Sequence, residues 1–182
     1  MKGTGNSFSV LFQKLRFMCL PTQKQRSKYI TKHKKQFEHI GSDIFWHSRK
    51  FPADPEFLHI GNNLKISANV IFVGHDATHH MLNRKYATNE FKPKRGCIYV
   101  SDNVMIGANV IILPNVYIGE NVVIGAGAVI TKDIPSNSVV AGIPGKVIGT
   151  FDDFVEKRKQ ISITEREQLW YEFYQRRGLK TK

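Results

Sequence analysis

Residues 100–134, VSDNVMIGANVIILPNVYIGENVVIGAGAVITKDI, carry a six-residue period. Val100, Ile106, Ile112, Ile118, Ile124 and Ile130 stand six apart, and Val104, Val110, Val116, Val122, Ala128 and Ile134 each follow four residues later. Helices repeat every 3.6 residues and half-buried strands every two, so neither produces this spacing. Six is the period of a stacked β-solenoid, in which each hexapeptide makes one short strand and one corner and neighbouring coils bury a shared core. The third residue after each lead is Asn103, Asn109, Asn115, Asn121, Gly127 or Asp133, types that accept a left-handed backbone at a turn. Gly107, Gly119 and Gly125 follow their leads directly, where a missing side chain lets backbones approach.

The same phase exists upstream. Ile60, Ile66 and Phe72 are six apart, with Asn63 and Asn69 at the corners, and a weaker unit runs through Ile40, Asp43, Ile44 and Trp46. From Phe72 to Val100 is 28 residues, which is not a multiple of six, so a segment at about 75–96 leaves the solenoid and rejoins it. Its composition is loop-like, with His75, Asp76, His79, His80, Asn83, Asn89, Pro93 and Gly96. Five cations, Arg84, Lys85, Lys92, Lys94 and Arg95, accompany them. A structureless excursion of that length inside a compact domain is usually functional or disordered.

A chain of 182 residues, 41% apolar, supports a single core with terminal additions. The expected organisation is a basic, partly helical arm over 1–38, the solenoid over 39–150 and a helical cap over 151–182. The period stops at Ala141–Val147, where proline and glycine interrupt it. Beyond it Phe151–Lys159 and Thr164–Arg177 read as helices, the second with a capping box of Thr164 and Glu167 and an apolar side of Leu169, Trp170 and Phe173. No run of about 18 apolar residues spans a bilayer, and Lys14 and Arg16 interrupt the apolar stretch at 8–20, which argues against a secretory leader. Cys19 and Cys97 form no metal-type pair, so a reduced, cytoplasmic setting is expected.

The net charge of +12 is concentrated at the amino terminus. Residues 1–50 hold 11 Lys and Arg against two acids, while residues 97–149 hold two against three. The cluster from Lys24 to Lys35 has no nucleic-acid-binding fold around it, so it reads first as a solvated helix and second as a contact for an anionic membrane surface. Phe8, Leu11, Phe12, Leu15 and Met18 recur at helical spacing, as a membrane-surface helix requires. The same stripe would also serve to cover the open end of the solenoid.

These motifs together resemble the hexapeptide-repeat acyltransferases. The resemblance covers about residues 57–150. It rests on the repeat, on Gly74-His75-Asp76 at the start of the insertion, on the run from Ile124 to Pro135, and on Val140–Ile148 (VAGIPGKVI). Within that superfamily the chain is most similar to the sugar and polysaccharide O-acetyltransferases, among them the galactoside, maltose and nodulation-factor enzymes. What this implies is a mainly β fold, a left-handed parallel β-helix with an inserted loop, assembled as a homotrimer with each active site between two subunits. Acetyl-CoA would be the co-substrate and a saccharide hydroxyl the acceptor, with no metal and no nucleic acid involved.

Acyl transfer from a thioester needs alignment, an oxyanion donor and a group that removes the hydroxyl proton. An imidazole, titrating near pH 6.5 when unperturbed, suits the last task. Of seven histidines, those at 33, 39, 47 and 59 lie outside the matched motifs. His75 matches the family position of the general base, and His79, the position used by a related antibiotic-acetylating branch, is the alternative. Adjacent residues on an extended chain point in opposite directions, so Asp76 is not expected to orient His75; a backbone carbonyl or a more distant carboxylate is. The resemblance places Gly107 and Ala108 beside the thioester, Gly125 and Ala126 along the pantetheine arm with the Ala126 amide as donor, and Thr131, Lys132 and Lys146 near the coenzyme phosphates. Met105 stands where the simple sugar enzymes often carry an aromatic residue. Acceptors of a different kind, an amino-sugar nitrogen or a drug hydroxyl, stay open, as does a non-catalytic scaffold.

Overall fold

The computed structural model describes residues 7–161 and 166–178, with side chains from Leu11 onward. Short strands form three parallel faces. The first contains His39–Ile40, Leu58–Ile60, Ile98–Val100 and Val116–Ile118; the second Phe45–Trp46, Lys65–Ile66, Val104–Ile106, Val122–Ile124 and Ser138–Ala141; the third Ile71–Phe72, Ile111–Ile112 and Val129–Ile130. The chain visits the faces in turn, which makes a three-sided β-solenoid. Tyr99 pairs with Tyr117 and Met105 with Val123, an offset of 18 residues, or three hexapeptides. Each strand thus satisfies its backbone groups on the coil before and the coil after.

The repeat positions build the core. All twelve aliphatic positions read from residues 100–134 are buried, from Val100 and Ile106 at 0% exposure to Ile134 at 4%. The corners take the left-handed conformation at Asn63, Asn69, Asn103, Asn109, Asn115, Asn121 and Gly127, with φ between 52° and 74°. Their amides stack in a ladder: Asn63 Nδ2 donates to Asn103 Oδ1 at 2.9 Å, Asn103 Nδ2 to Asn121 Oδ1 at 3.1 Å, and Asn121 Nδ2 to Asn137 Oδ1 at 3.0 Å. Asp133 departs from the expectation. The last coil is shorter, with Val122 opposite Ser138 and Ile118 opposite Ile134, 16 residues on. Asn137, with φ 58°, therefore completes the ladder, while Asp133 Oδ1 accepts from the Tyr117 amide at 2.8 Å.

The insertion is the other irregularity. Leu58 pairs with Ile98, 40 residues on, against the usual 18, and residues 75–96 account for the excess. The segment is not structureless. Thr78–Tyr86 forms a helix, here α3, ending at Ala87 in the left-handed conformation with φ 50°. Met81, Leu82, Arg84 and Lys85 are good helix formers, and they outweigh the loop-like composition around them. Asn83 then fixes the return, its side chain accepting from the Phe91 amide at 3.0 Å and donating to the Phe91 carbonyl at 2.9 Å.

The basic arm contributes helices at Ser7–Met18 (here α1) and Gln23–Lys32 (α2), the second opened by a capping box of Thr22 and Gln25. The face of α1 expected to pack is largely exposed: Leu11, Phe12, Leu15 and Met18 are open, and the side chain of Phe8 lies outside the described residues. Phe17 is the buried anchor instead, 5.4 Å from the Tyr29 ring and 5.3 Å from that of Phe51. From α2, Ser27 Oγ accepts from the Trp46 amide at 2.8 Å and so occupies the free edge of the first coil. Arg26, one of the cluster from Lys24 to Lys35, is buried and donates to the Leu20 carbonyl at 2.6 Å.

At the other end Ser138–Ala141 turns back on Lys146–Thr150 as an antiparallel hairpin, which ends the coil at the segment where the period breaks. From Asp152 the chain forms a second unit with helices Phe151–Lys159 and Arg166–Arg176. Thr164 of the expected capping box lies outside the described residues, and Leu169, Trp170 and Phe173 are exposed. No described helix is long and apolar enough to cross a membrane.

Candidate active site

The third face delivers His75 to its position. After Ile71–Phe72 the Val73 amide still donates to the next coil, to the Ile112 carbonyl at 2.9 Å, and the chain then leaves the solenoid at Gly74. The two ends of the insertion pair at their neck: Asp76 N donates to the Lys94 carbonyl at 3.1 Å and Gly96 N to the Gly74 carbonyl at 2.9 Å, with His75 opposite Arg95 in an antiparallel bridge. His75 Nδ1 lies 2.5 Å from Asp54 Oδ2. The carboxylate is mostly shielded, at 15% exposure, while the imidazole is half exposed at 48%. An ionised Asp54 accepts from Nδ1–H, which fixes the tautomer that leaves Nε2 free as an acceptor.

Two local features hold Asp54 there. Pro55 opens a single 3₁₀ turn, Pro55–Phe57, directly behind it. Across from it Gly74 supplies space: a Cβ at Gly74 would stand 2.7 Å from Asp54 Oδ2. The sequence left a backbone carbonyl or a distant carboxylate open as the partner and did not single out Asp54, which stands 21 residues from His75 in a segment without repeat phase. The Asp-Pro step is the one local signal, and it marks a turn and not a partner.

The other members of the segment are differently engaged. Asp76 Oδ1 accepts from the Thr78 amide at 3.0 Å at the start of α3. That hydrogen bond holds its carboxyl below the ordinary value, with Lys94 and His79 adding to the effect. His79 sits in the first turn of α3 against His80, ring centroids 3.9 Å apart, with Nδ1 buried and unpartnered among the described residues.

The residues assigned to the donor side fall on two corners. Gly107, Ala108, Gly125 and Ala126 lie between the second and third faces; Thr131 and Lys132 lie between the third and first, the corner from which His75 departs. Gly107 is occupied structurally, since a Cβ there would stand 2.6 Å from the Ala126 nitrogen of the next coil. Gly125 is looser, its nearest neighbours being the Ala141 Cβ and the Val140 carbonyl oxygen, both at 3.3 Å. Ala126 is exposed, and its N–H makes no hydrogen bond among the described residues. Lys132 and Lys146, the latter opposite Ala141 in the hairpin, are exposed and outside the ion pairs among those residues.

Within one chain, therefore, His75 and the small-residue corner flank opposite edges of the third face. Ile71, Ile111 and Val129, in register with one another, run between them as a half-buried apolar stripe on its outer surface. Among the described residues no three His, Cys, Asp or Glu side chains gather where a metal could be held.

The bacterial transferase hexapeptide model, of six repeats, matches residues 98–132. Over that span the chain carries the repeat of the hexapeptide transferases. Protein CapG of Staphylococcus aureus is 42% identical over 107 residues, which is 59% of this chain and 60% of that protein. Galactoside O-acetyltransferase of Escherichia coli K12 is 39% identical over 117 residues, 63% of this chain and 55% of that one. The chain thus matches little more than half the length of these two relatives. Among solved structures, a galactoside acetyltransferase in complex with coenzyme A superimposes with a TM-score of 0.60 at 28% identity, covering 87% of this chain and 85% of that one. A galactoside acetyltransferase thus stands both among the sequence relatives and among the similar solved structures.

Proposed function

We propose that the protein is an acetyl-CoA-dependent O-acetyltransferase of a saccharide hydroxyl, with His75 as general base. The observation that carries this assignment is the Asp54–His75 pair at the exit of the third face. With Nδ1 committed to Asp54, Nε2 accepts the hydroxyl proton. The freed oxygen lone pair then bonds to the thioester carbonyl carbon, the carbon–sulfur bond breaks, and the departing thiolate takes the proton back from the imidazolium. Atoms and charge balance without a metal or an oxidant.

The donor residues fit the co-substrate. The free Ala126 N–H supplies a donor on an open corner, Gly125 permits close approach of a thin chain, and Lys132 and Lys146 offer positive charge to phosphates. His75 and this corner lie at opposite edges of one face, so a homotrimer of left-handed coils, in which a neighbouring copy brings its corner to the first copy's His75, supports the chemistry better than a lone chain. The half-buried apolar stripe between them suits such a contact. Coenzyme-dependent chemistry of this kind belongs in the cytoplasm. The exposed apolar face of α1, beside Lys14 and Arg16, also suits peripheral contact with an anionic membrane surface.

The test is release of free coenzyme thiol. With acetyl-CoA and a panel of surface-polysaccharide precursors, the wild-type chain releases thiol in proportion to acetylated sugar, and His75→Ala lowers the rate by about 1,000-fold. Retained activity in His75→Ala together with its loss in His79→Ala would move the base to His79. Transfer to an amino-sugar nitrogen alone would favour the N-acetyl alternative.

A further inference from the structure

We propose that Arg95 reads an anionic group, a carboxylate or a phosphate, on the acceptor. The proposal uses the assignment of His75 as base only to locate the acceptor hydroxyl.

His75 and Arg95 face each other across the neck of the insertion as the pair flanked by the two inter-strand hydrogen bonds, not joined by them. In antiparallel geometry this is the close pair, with Cα atoms about 4.5 Å apart and side chains on the same side. The reach of Arg95 therefore begins beside the imidazole. Its guanidinium lies over the Phe57 ring, 5.7 Å from the centroid, three residues along from Asp54. A guanidinium attracted to a ring face makes no hydrogen bond there, so its fork of donors stays available for bidentate contact with a carboxylate or phosphate.

The carboxylates nearby are committed elsewhere. Asp54 is held by His75 and Asp76 by the start of α3. Arg95 takes part in none of the ion pairs His75–Asp54, Lys159–Glu156 and Arg176–Glu172. The insertion carries five Lys and Arg against Asp76 and Glu90. Lys92 is turned to the Asn89 carbonyl at 2.9 Å, and Lys94 supports Asp76. Arg84 and Lys85 instead line an open hollow of about 500 Å³ with His80 and Met81. An acceptor with its hydroxyl at His75 thus meets one unpaired guanidinium at the base and a second cationic surface further along α3. A neutral sugar would use neither.

The experiment uses the full chain and two acceptor pairs, each differing in one group: a uronic-acid oligosaccharide with its carboxyl-reduced form, and a phosphorylated oligosaccharide with its dephosphorylated form. Thiol release gives kcat and KM, and saturation-transfer NMR gives acceptor binding without turnover. The charged member of at least one pair is expected to have a KM about tenfold lower than its neutral counterpart. Arg95→Gln should then cut the charged-over-neutral selectivity by about tenfold, chiefly through KM, and Arg95→Lys, which keeps the charge without the fork, should restore part of it. The pair that responds identifies carboxylate or phosphate as the source of the charge. Equal use and binding of charged and neutral members would overturn the proposal, as would an Arg95→Gln protein that loses both acceptors equally or neither. Absence of binding to both charged acceptors would overturn it too. If no acceptor supports thiol release while the charged ones bind and Arg95→Gln abolishes that binding, acetyl transfer fails and the Arg95 site stands.

Discussion

The Asp54 carboxylate holds His75 through Nδ1 at 2.5 Å, and Gly74 leaves it the room to do so. An amide in place of the carboxylate keeps the shape but lets the ring settle in either tautomer and removes the charge that stabilises an imidazolium. Asp54→Asn is therefore expected to lower kcat by about 100-fold with little change in the KM for acetyl-CoA. Gly74→Ala displaces the same carboxylate from the other side and should lower kcat in the same direction. Steady-state kinetics on both variants, with circular dichroism confirming the fold, check this. An Asp54→Asn enzyme with wild-type kcat would break the link between the pair and the chemistry.

The corner glycines separate structural from binding roles. A methyl at Gly107 would meet the Ala126 backbone at 2.6 Å, so the coils must part; Gly107→Ala should destabilise the protein by about 2–3 kcal/mol. At Gly125 the nearest neighbours are the Ala141 Cβ and the Val140 carbonyl oxygen, both at 3.3 Å, so a methyl asks for a shift of only a few tenths of an ångström. Gly125→Ala should melt within a few degrees of wild type yet raise the KM for acetyl-CoA by about tenfold, because the added methyl stands where the coenzyme arm is assigned. Thermal melts and coenzyme titrations on the two proteins distinguish them. The reverse pattern would remove Gly125 from the donor site.

The solenoid was legible because its physics is local and repetitive. An aliphatic residue every sixth position and a left-handed corner three residues later are both written in residue type, and Val100 through Ile134 occupy the core they imply. What depends on one long-range contact was not legible. Asp54 meets His75 through a close approach at Gly74, and no spacing rule encodes that. The insertion hid α3 because its histidines and asparagines outweighed the short helix-forming run from Met81 to Lys85. Asp133 followed the period in type but not in conformation, since the last coil is 16 residues long. On α1 helical spacing named a face, yet Phe17, off that face, is the residue that docks.

His59 gives the fold a testable pH dependence. On the first face its ring lies 4.6 Å from His39 and 3.9 Å from Tyr99, stacked on both. Burial lowers its pKa below the ordinary 6.5, and His39 adds to the shift while Glu38 and Asp102 oppose it. The unfolded chain therefore binds this proton more readily than the folded one. The stabilising contribution is complete above about pH 6.5 and is lost as the pH falls below it toward the folded value. Melting temperature should fall between pH 7.5 and 5.5, and His59→Phe, which keeps the stack without the titration, should reduce that fall. An unchanged fall in the variant would assign it to other groups.

The arm divides into a part that anchors and a part that is open. Phe17 is fully buried against Tyr29 and Phe51, whereas Leu11, Phe12 and Leu15 face outward in the single chain beside Lys14 and Arg16. Removing the buried ring leaves a cavity, so Phe17→Ala should cost about 3 kcal/mol and make the arm the first site of limited proteolysis. The double change Leu11→Ser and Leu15→Ser buries nothing less in the chain and should leave its stability within about 0.5 kcal/mol. If α1 rests on anionic bilayers, the double variant loses co-sedimentation with vesicles containing phosphatidylglycerol, and added salt weakens the wild-type interaction by screening the lysines and arginines. Wild-type protein that stays in the supernatant at low salt would exclude that role for the arm. A double variant that lost stability instead would place the stripe in a contact between copies of the chain, as the proposed trimer allows.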